Sequence, residues 1–329
     1  MPDLSSSQIT KPLNNIVEKS LLINELPRSR FWETMDICQW EGFWFEPSLV
    51  GPAMTFRSTF HARDDDVLLA STMKTGTTWL KSLSLSIITQ NRNRRQTTTT
   101  SDILTSENPH YLVPTIESTM YSTKPLQFDP YDSSDPRLLH THLPYSVLPD
   151  SVKNGPCKIV YIARNPKDTV ISMWHFFNSI LQQEEDPFPM EKAVDCFCSG
   201  VHQYGSFFDH VREYWVESKK RPDKILFVKY EELKTEPKRH VSKIAEFLGR
   251  PFGDGDEGAL VEEVLSRCCL ERLKNLEVNK NGSVLLNVPN SSFFRKGEVG
   301  GWKNYLTAEM EEMIDQTSRI KLEPFGLFL

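Results

Sequence analysis

The chain has 329 residues and a net charge of −6, with 39% hydrophobic and 25% charged residues, the make-up of an ordinary globular protein. That balance argues against broad binding to nucleic acid or to anionic membranes, so any anion site must be local. No apolar run reaches the ~18 residues of a membrane span, no basic-then-apolar leader opens the chain, and six scattered cysteines lack zinc-ligand spacing. The expectations are a cytoplasmic location, no metal and no disulfide framework. A chain of this length buries roughly 75% of its unfolded surface and needs no staple.

In chain order, residues 1–25 read as a loosely ordered arm, and residues 26–329 as one domain. An aromatic cluster follows the arm, Trp32, Trp40, Phe43, Trp44 and Phe45, suited equally to a core or to an apolar pocket. Val67–Ala70 is a short apolar run, a buried strand, and after it Leu80, Leu83, Ile87 and Ile88 recur at helical spacing. Residues 91–101 (NRNRRQTTTTS) read as a polar surface loop. Lys158–Ala163 is a second strand, leading through Arg164-Asn165-Pro166 into a helix over 167–181. Ile225–Tyr230 is a third strand, followed by a helix over 239–248. Strand–loop–helix units in series predict an α/β fold, a central parallel sheet flanked by helices with a P-loop-like nucleotide site.

Lys74-Thr75-Gly76-Thr77-Thr78 follows the first strand and opens a helix, a position suited to an anion. Gly76 permits a tight turn, Lys74 adds charge, and the hydroxyls of Thr75, Thr77 and Thr78 add donors. The triphosphatase pattern G-x-x-x-x-G-K-[ST] is not met, because Lys74 precedes Gly76 and Ser71 stands where the first glycine would be. The second strand ends in Arg164 rather than in a magnesium-binding aspartate, which suggests a metal-free grip on a second anionic group. Arg164 offers a fork for phosphate, and Ser172 lies about one helical turn beyond the strand-end loop. Arg295-Lys296-Gly297 suits a loop closing over an anion. Each element has a plainer reading: a threonine helix cap, an Arg164–Asp168 ion pair, an exposed turn.

Five segments in this order resemble the cytosolic sulfotransferase family, and its plant soluble branch most closely: Lys74–Leu80, Thr141–Tyr145, Tyr161–Ser172, Tyr230–Leu233 and Arg295–Trp302. The resemblance implies 3′-phosphoadenylyl sulfate as co-substrate and a hydroxylated small molecule as acceptor, such as a flavonoid, a steroid or brassinosteroid, or a related plant metabolite. It also implies roles. Lys74, Thr75, Gly76, Thr77 and Thr78 would hold the phosphosulfate, and Trp79 would lie against the adenine. Arg164, Ser172, Arg295, Lys296 and Gly297 would hold the 3′-phosphate, with Tyr230 beside the nucleotide. His142 would be the catalytic base, and Lys74 would neutralise charge on the leaving oxygen.

Several positions depart from the family, among them His140, where animal members often have lysine and plant members vary. Met73 replaces the usual proline and makes the loop entry less rigid, and Gly301 replaces a common aspartate and loosens the segment after Arg295. Lys303, Thr307, Ala308 and Glu312 only approximate the family's dimer motif, so a monomer or a weak homodimer is expected. The acceptor pocket is expected among the aromatics at 32–45, residues 108–114 and residues 173–177. An alternative reading is a metal-dependent small-molecule kinase on a similar scaffold, with Glu231 or Asp168 holding magnesium. A His140/His142 metal pair has no evident third ligand.

Overall fold

A computed structural model describes residues 16–95, 102–121, 136–183, 185–253, 257–284 and 288–329. Residues 16–25, expected within a loose arm, instead form helix α1 (Ile16–Glu25). Its Leu22 and Ile23 pack on the core, which is the physical reason this part of the arm is ordered. Three short strands follow, β1 (Arg28–Phe31), β2 (Met35–Trp40) and β3 (Phe43–Phe45), forming an antiparallel meander. Most of the aromatic cluster is core: Phe43 and Phe45 are buried, and Trp32 stacks on Phe188 with ring centroids 4.9 Å apart. Helix α2 (Pro47–Thr59) covers the meander.

The main sheet has four parallel strands, β4 (Val67–Ser71), β5 (Leu138–Thr141), β6 (Lys158–Ala163) and β7 (Ile225–Lys229), in the order β5-β4-β6-β7. Continuous apolar runs suit strands covered on both faces. Leu68 and Ala70 of β4 face one core with the aromatic meander, while Val67 and Leu69 face a second core. Helix α3 (Thr77–Arg95) packs on that second face and runs into the stretch expected as a loop; residues 96–101 lie outside the described residues. Two short helices, α4 (Pro109–Leu112) and α5 (Asp150–Asn154), sit in the connections. Helix α6 (Pro166–Ile180) starts sharply because Pro166 occupies its first turn and the Asn165 side chain accepts from the Lys167 amide.

Parallel strands deliver their carboxyl ends to one edge of the sheet. β4 therefore ends at the Lys74 loop, β5 at His142, β6 at Arg164 and β7 at Tyr230.

Candidate active site

After β4 the backbone turns into α3 with positive φ at Lys74 (64°) and Gly76 (110°). Glycine is required at 76, since a Cβ there would stand 2.7 Å from Tyr230 Cδ2 and 3.1 Å from Ile162 Cδ1. The Thr75 hydroxyl differs from expectation. It faces Thr72 O at 2.9 Å and Ile162 O at 3.2 Å, fastening the loop to β6 instead of offering a donor to the site. Thr77 Oγ1 pairs with Ser71 Oγ at 2.7 Å, and Thr78 Oγ1 with His110 Nε2 at 2.9 Å.

Of the residues assigned from sequence to catalysis or to donor binding, all but Thr75 and Lys296 line one cavity of about 370 Å³. Lys296 is exposed. The aromatics at 32–45 are not on this wall, because they are committed to packing the meander. The other two expected stretches contribute only His110 and Phe176.

Arg164 Nη2 donates to Glu298 O at 2.5 Å, and its guanidinium lies 4.7 Å from the centre of the Tyr230 ring. Its distance to Asp168 is 3.8 Å, longer than a hydrogen bond. Asp168 instead accepts from the backbone N–H groups of Gly300 (2.7 Å) and Trp302 (3.1 Å), anchoring the segment that Gly301 was expected to loosen. Tyr230 OH donates to Gly297 O at 2.8 Å, and the Tyr230 ring meets Trp79 edge-on at 5.6 Å.

Lys74 Nζ donates to Ser292 O at 3.4 Å and sits 4.1 Å from the centre of the Phe176 ring. Burial, with Arg295 and Arg164 beside it, pushes the Lys74 ammonium down to about 7. Arg164 Nε and Arg295 Nε are buried without hydrogen-bond partners. Among the described residues the cavity wall carries no carboxylate. Mutually repelling cations with unpartnered guanidinium nitrogens are complementary to a ligand with more than one anionic group.

His142 follows β5 directly and is fixed at three points. Its N–H donates to Glu117 Oε1 at 2.8 Å, its carbonyl accepts from His210 Nε2 at 2.9 Å, and its ring Nδ1 lies 2.8 Å from Ser71 O. A carbonyl can only accept, so Nδ1 carries the proton and Nε2 keeps a lone pair. Burial pushes the ring down to about 3, against the raising effect of the Ser71 bond, so it is neutral near pH 7. A neutral imidazole with a free Nε2 can take a proton from a hydroxyl.

Sequence reading missed Lys81 and Glu117 behind this site, and weighed His140 only as a departure from the family and half of a metal pair, and His110 only within an acceptor wall. Lys81, Glu117 and His140 are wholly buried, and His110 nearly so. One signal was present: Lys81 is the only charged residue between Lys74 and Arg92, in a stretch of α3 (residues 77–89) otherwise made of apolar and small polar side chains. Such a stretch is enclosed on all sides, and its single charge must find internal partners.

Residues 64–326 match the sulfotransferase domain family. The chain is 42% identical to cytosolic sulfotransferase 13 of Arabidopsis thaliana, covering 92% of this chain and 90% of that one. Its structure is similar to that of an Arabidopsis thaliana putative steroid sulphotransferase, with TM-score 0.73, 33% identity and 94% of each chain covered. A mouse sulfotransferase complexed with PAP gives TM-score 0.65 at 27% identity, covering 87% of this chain and 94% of that one.

Proposed function

This chain belongs to the sulfotransferase family, and from that premise we propose that it moves the sulfuryl group of 3′-phosphoadenylyl sulfate to a hydroxyl of an apolar small molecule, with His142 as general base. The observation that carries the reading is the shared cavity. It joins a neutral His142 to Lys74, Arg164 and Arg295, with no carboxylate among the described wall residues. The kinase reading lacks support at the same point. Glu231 accepts from the Asn165 amide and Asp168 from Gly300 and Trp302, so both expected magnesium ligands are engaged elsewhere.

Bound donor would supply an activated sulfuryl group on a phosphate leaving group. Lys74, Thr77 and Thr78 would hold the phosphosulfate end, and Arg164, Ser172, Arg295 and Gly297 the 3′-phosphate. His142 Nε2 would take the acceptor's hydroxyl proton as the oxygen–sulfur bond forms, while Lys74 offsets charge on the departing phosphate oxygen. General-base help of this kind is worth ~10²–10⁴-fold. Met73, Phe176 and Phe293 give the cavity apolar wall suited to a hydroxylated flavonoid or steroid ring. Likeness to a putative steroid sulphotransferase favours that class, and likeness to relatives named cytosolic favours the cytoplasm.

The test is transfer of labelled sulfate from donor to a panel of flavonoids and steroids in the presence of EDTA. Transfer is expected to survive the chelator, and His142→Ala is expected to lose turnover by ~10²–10⁴-fold while binding nucleotide normally. A magnesium requirement with ATP as donor, or loss of nucleotide binding in a folded His142→Ala protein, would overturn the reading.

A further inference from the structure

Lys81 lies on α3, wholly buried, and no part of the transfer chemistry uses it. Its Nζ is 3.3 Å from His110 Nδ1 and 3.0 Å from Thr115 Oγ1. From these two contacts, hydrogen-bonded chains lead back to the cradle. One runs from His110 Nε2 to Thr78 Oγ1 at 2.9 Å. The other runs from Thr115 Oγ1 to His140 Nδ1 (3.0 Å), from His140 Nε2 to Ser71 Oγ (3.0 Å), and from Ser71 Oγ to Thr77 Oγ1 (2.7 Å).

We propose that Lys81 is a positioning residue that sets the direction of both chains, so that the hydroxyls of Thr77 and Thr78 each present a proton to the anion in the cradle. The proposal rests on reading the cradle as an anion site.

The direction follows from counting protons. A lysine amine has three protons when charged and two when neutral, enough for both neighbours in either state. A proton given to His110 Nδ1 leaves the His110 proton on Nε2, which then donates to Thr78 Oγ1. The Thr78 proton is left for the cavity that Thr78 lines. In the second chain Thr115 accepts from Lys81 and passes its own proton to His140 Nδ1. His140 Nε2 then donates to Ser71, and Ser71 to Thr77, whose proton also remains for the cavity. Burial holds both imidazoles well below their ordinary value, so each is neutral and carries one proton, as the scheme requires. Hydroxyls and neutral imidazoles transmit either polarity, and a reversed chain would turn hydroxyl lone pairs towards the anion. Lysine at the root removes that choice in its ammonium form, which has no lone pair. Burial pushes the group down to about 7, and Glu117 favours the ammonium against it.

The test is nitrogen NMR of imidazole-labelled protein with titration of adenosine 3′,5′-bisphosphate. In the unsubstituted protein His110 and His140 should both be Nε2–H tautomers and His142 the Nδ1–H tautomer. Lys81→Met keeps the chain length and removes the donor. It should mix the tautomers of His110 and His140 and weaken bisphosphate binding by roughly tenfold to a hundredfold, the scale of hydrogen bonds to a charged group. Thr115→Val cuts one chain, so the His140 signal should change while that of His110 stays. An Nδ1–H tautomer at either ring in the unsubstituted protein would overturn the proposal, as would a folded Lys81→Met protein with unchanged tautomers and affinity. If Lys81→Met does not fold, an unchanged His140 signal in Thr115→Val overturns it. Failure of the unsubstituted protein to bind bisphosphate would sink the functional reading, and the tautomers would still decide the two chains.

Discussion

Gly76→Ala tests the geometry of the cradle most directly. The backbone there has φ 110°, which L residues rarely adopt, and the added Cβ would stand 2.7 Å from Tyr230 Cδ2. Holding alanine in that conformation costs about 1–3 kcal/mol. Overpacking against a fixed neighbour costs about 1–3 kcal/mol more. The Tyr230 ring has little room to yield, because Arg164 covers it, Trp79 meets it edge-on and its hydroxyl holds Gly297 O. The sum, about 2–6 kcal/mol, is a large part of the ~5–15 kcal/mol typical of a folded protein. Urea unfolding should show a lowered midpoint, and calorimetric titration with adenosine 3′,5′-bisphosphate should show weakened binding. In a Tyr230→Ala background the clash with the ring disappears, leaving the backbone strain and the tight contact with Ile162 Cδ1. The double-mutant cycle should therefore show coupling of about 1–3 kcal/mol. Additive effects, or a Gly76→Ala loss within about 0.5 kcal/mol as at an ordinary surface site, would refute the reasoning.

Three further outcomes are expected. Lys74, pushed down to about 7 by burial and by the Arg295 and Arg164 charges, is largely neutral at pH 8 in the free protein. An anion in the cavity favours its charged form, so binding should take up a proton and weaken as pH rises past 7. Calorimetry at pH 8 in two buffers of different ionisation enthalpy measures the uptake, and Lys74→Met should reduce it; an unchanged uptake contradicts the assignment. Tyr230→Phe leaves Gly297 O without its donor, a loss of about 1 kcal/mol or roughly fivefold in bisphosphate affinity; affinity equal to the unsubstituted protein's would mean that this bond does not shape the site. Asp168→Asn keeps one acceptor for two backbone donors, and should cost about 1.5–3 kcal/mol. The checks are a lowered melting temperature and faster amide exchange at Gly300 and Trp302; unaltered exchange there would count against Asp168 as the anchor.

The central strands were legible because strands buried on both faces form continuous apolar runs, and α6 because Asn165 and Pro166 mark its start. The meander over 28–45 was not legible, since its strands have only 4, 6 and 3 residues and aromatic density does not separate core from pocket. The helical part of the N-terminal segment was missed for a related reason. A weakly amphipathic helix is stabilised by the surface it packs on, and that surface comes from residues later in the chain.

By itself the sequence determined the family, the order of the motifs and eleven residues of the cavity wall, most of them at the ends of strands; the wall supplied by Lys234, Pro237, Leu265, Cys268, Cys269, Leu270 and Leu273 came only with the tertiary structure. Tertiary structure decided which way the side chains face and what each one bonds. It turned the Thr75 hydroxyl inward, left Lys296 exposed, gave Asp168 to the Gly300 and Trp302 amides, and fixed the His142 proton on Nδ1 through Ser71 O. It also buried Lys81 against His110 and Thr115, which lie 29 and 34 residues away along the chain. Hydrogen-bond partners at such separations are chosen by the packing of the sheet and its helices, and no local pattern encodes them.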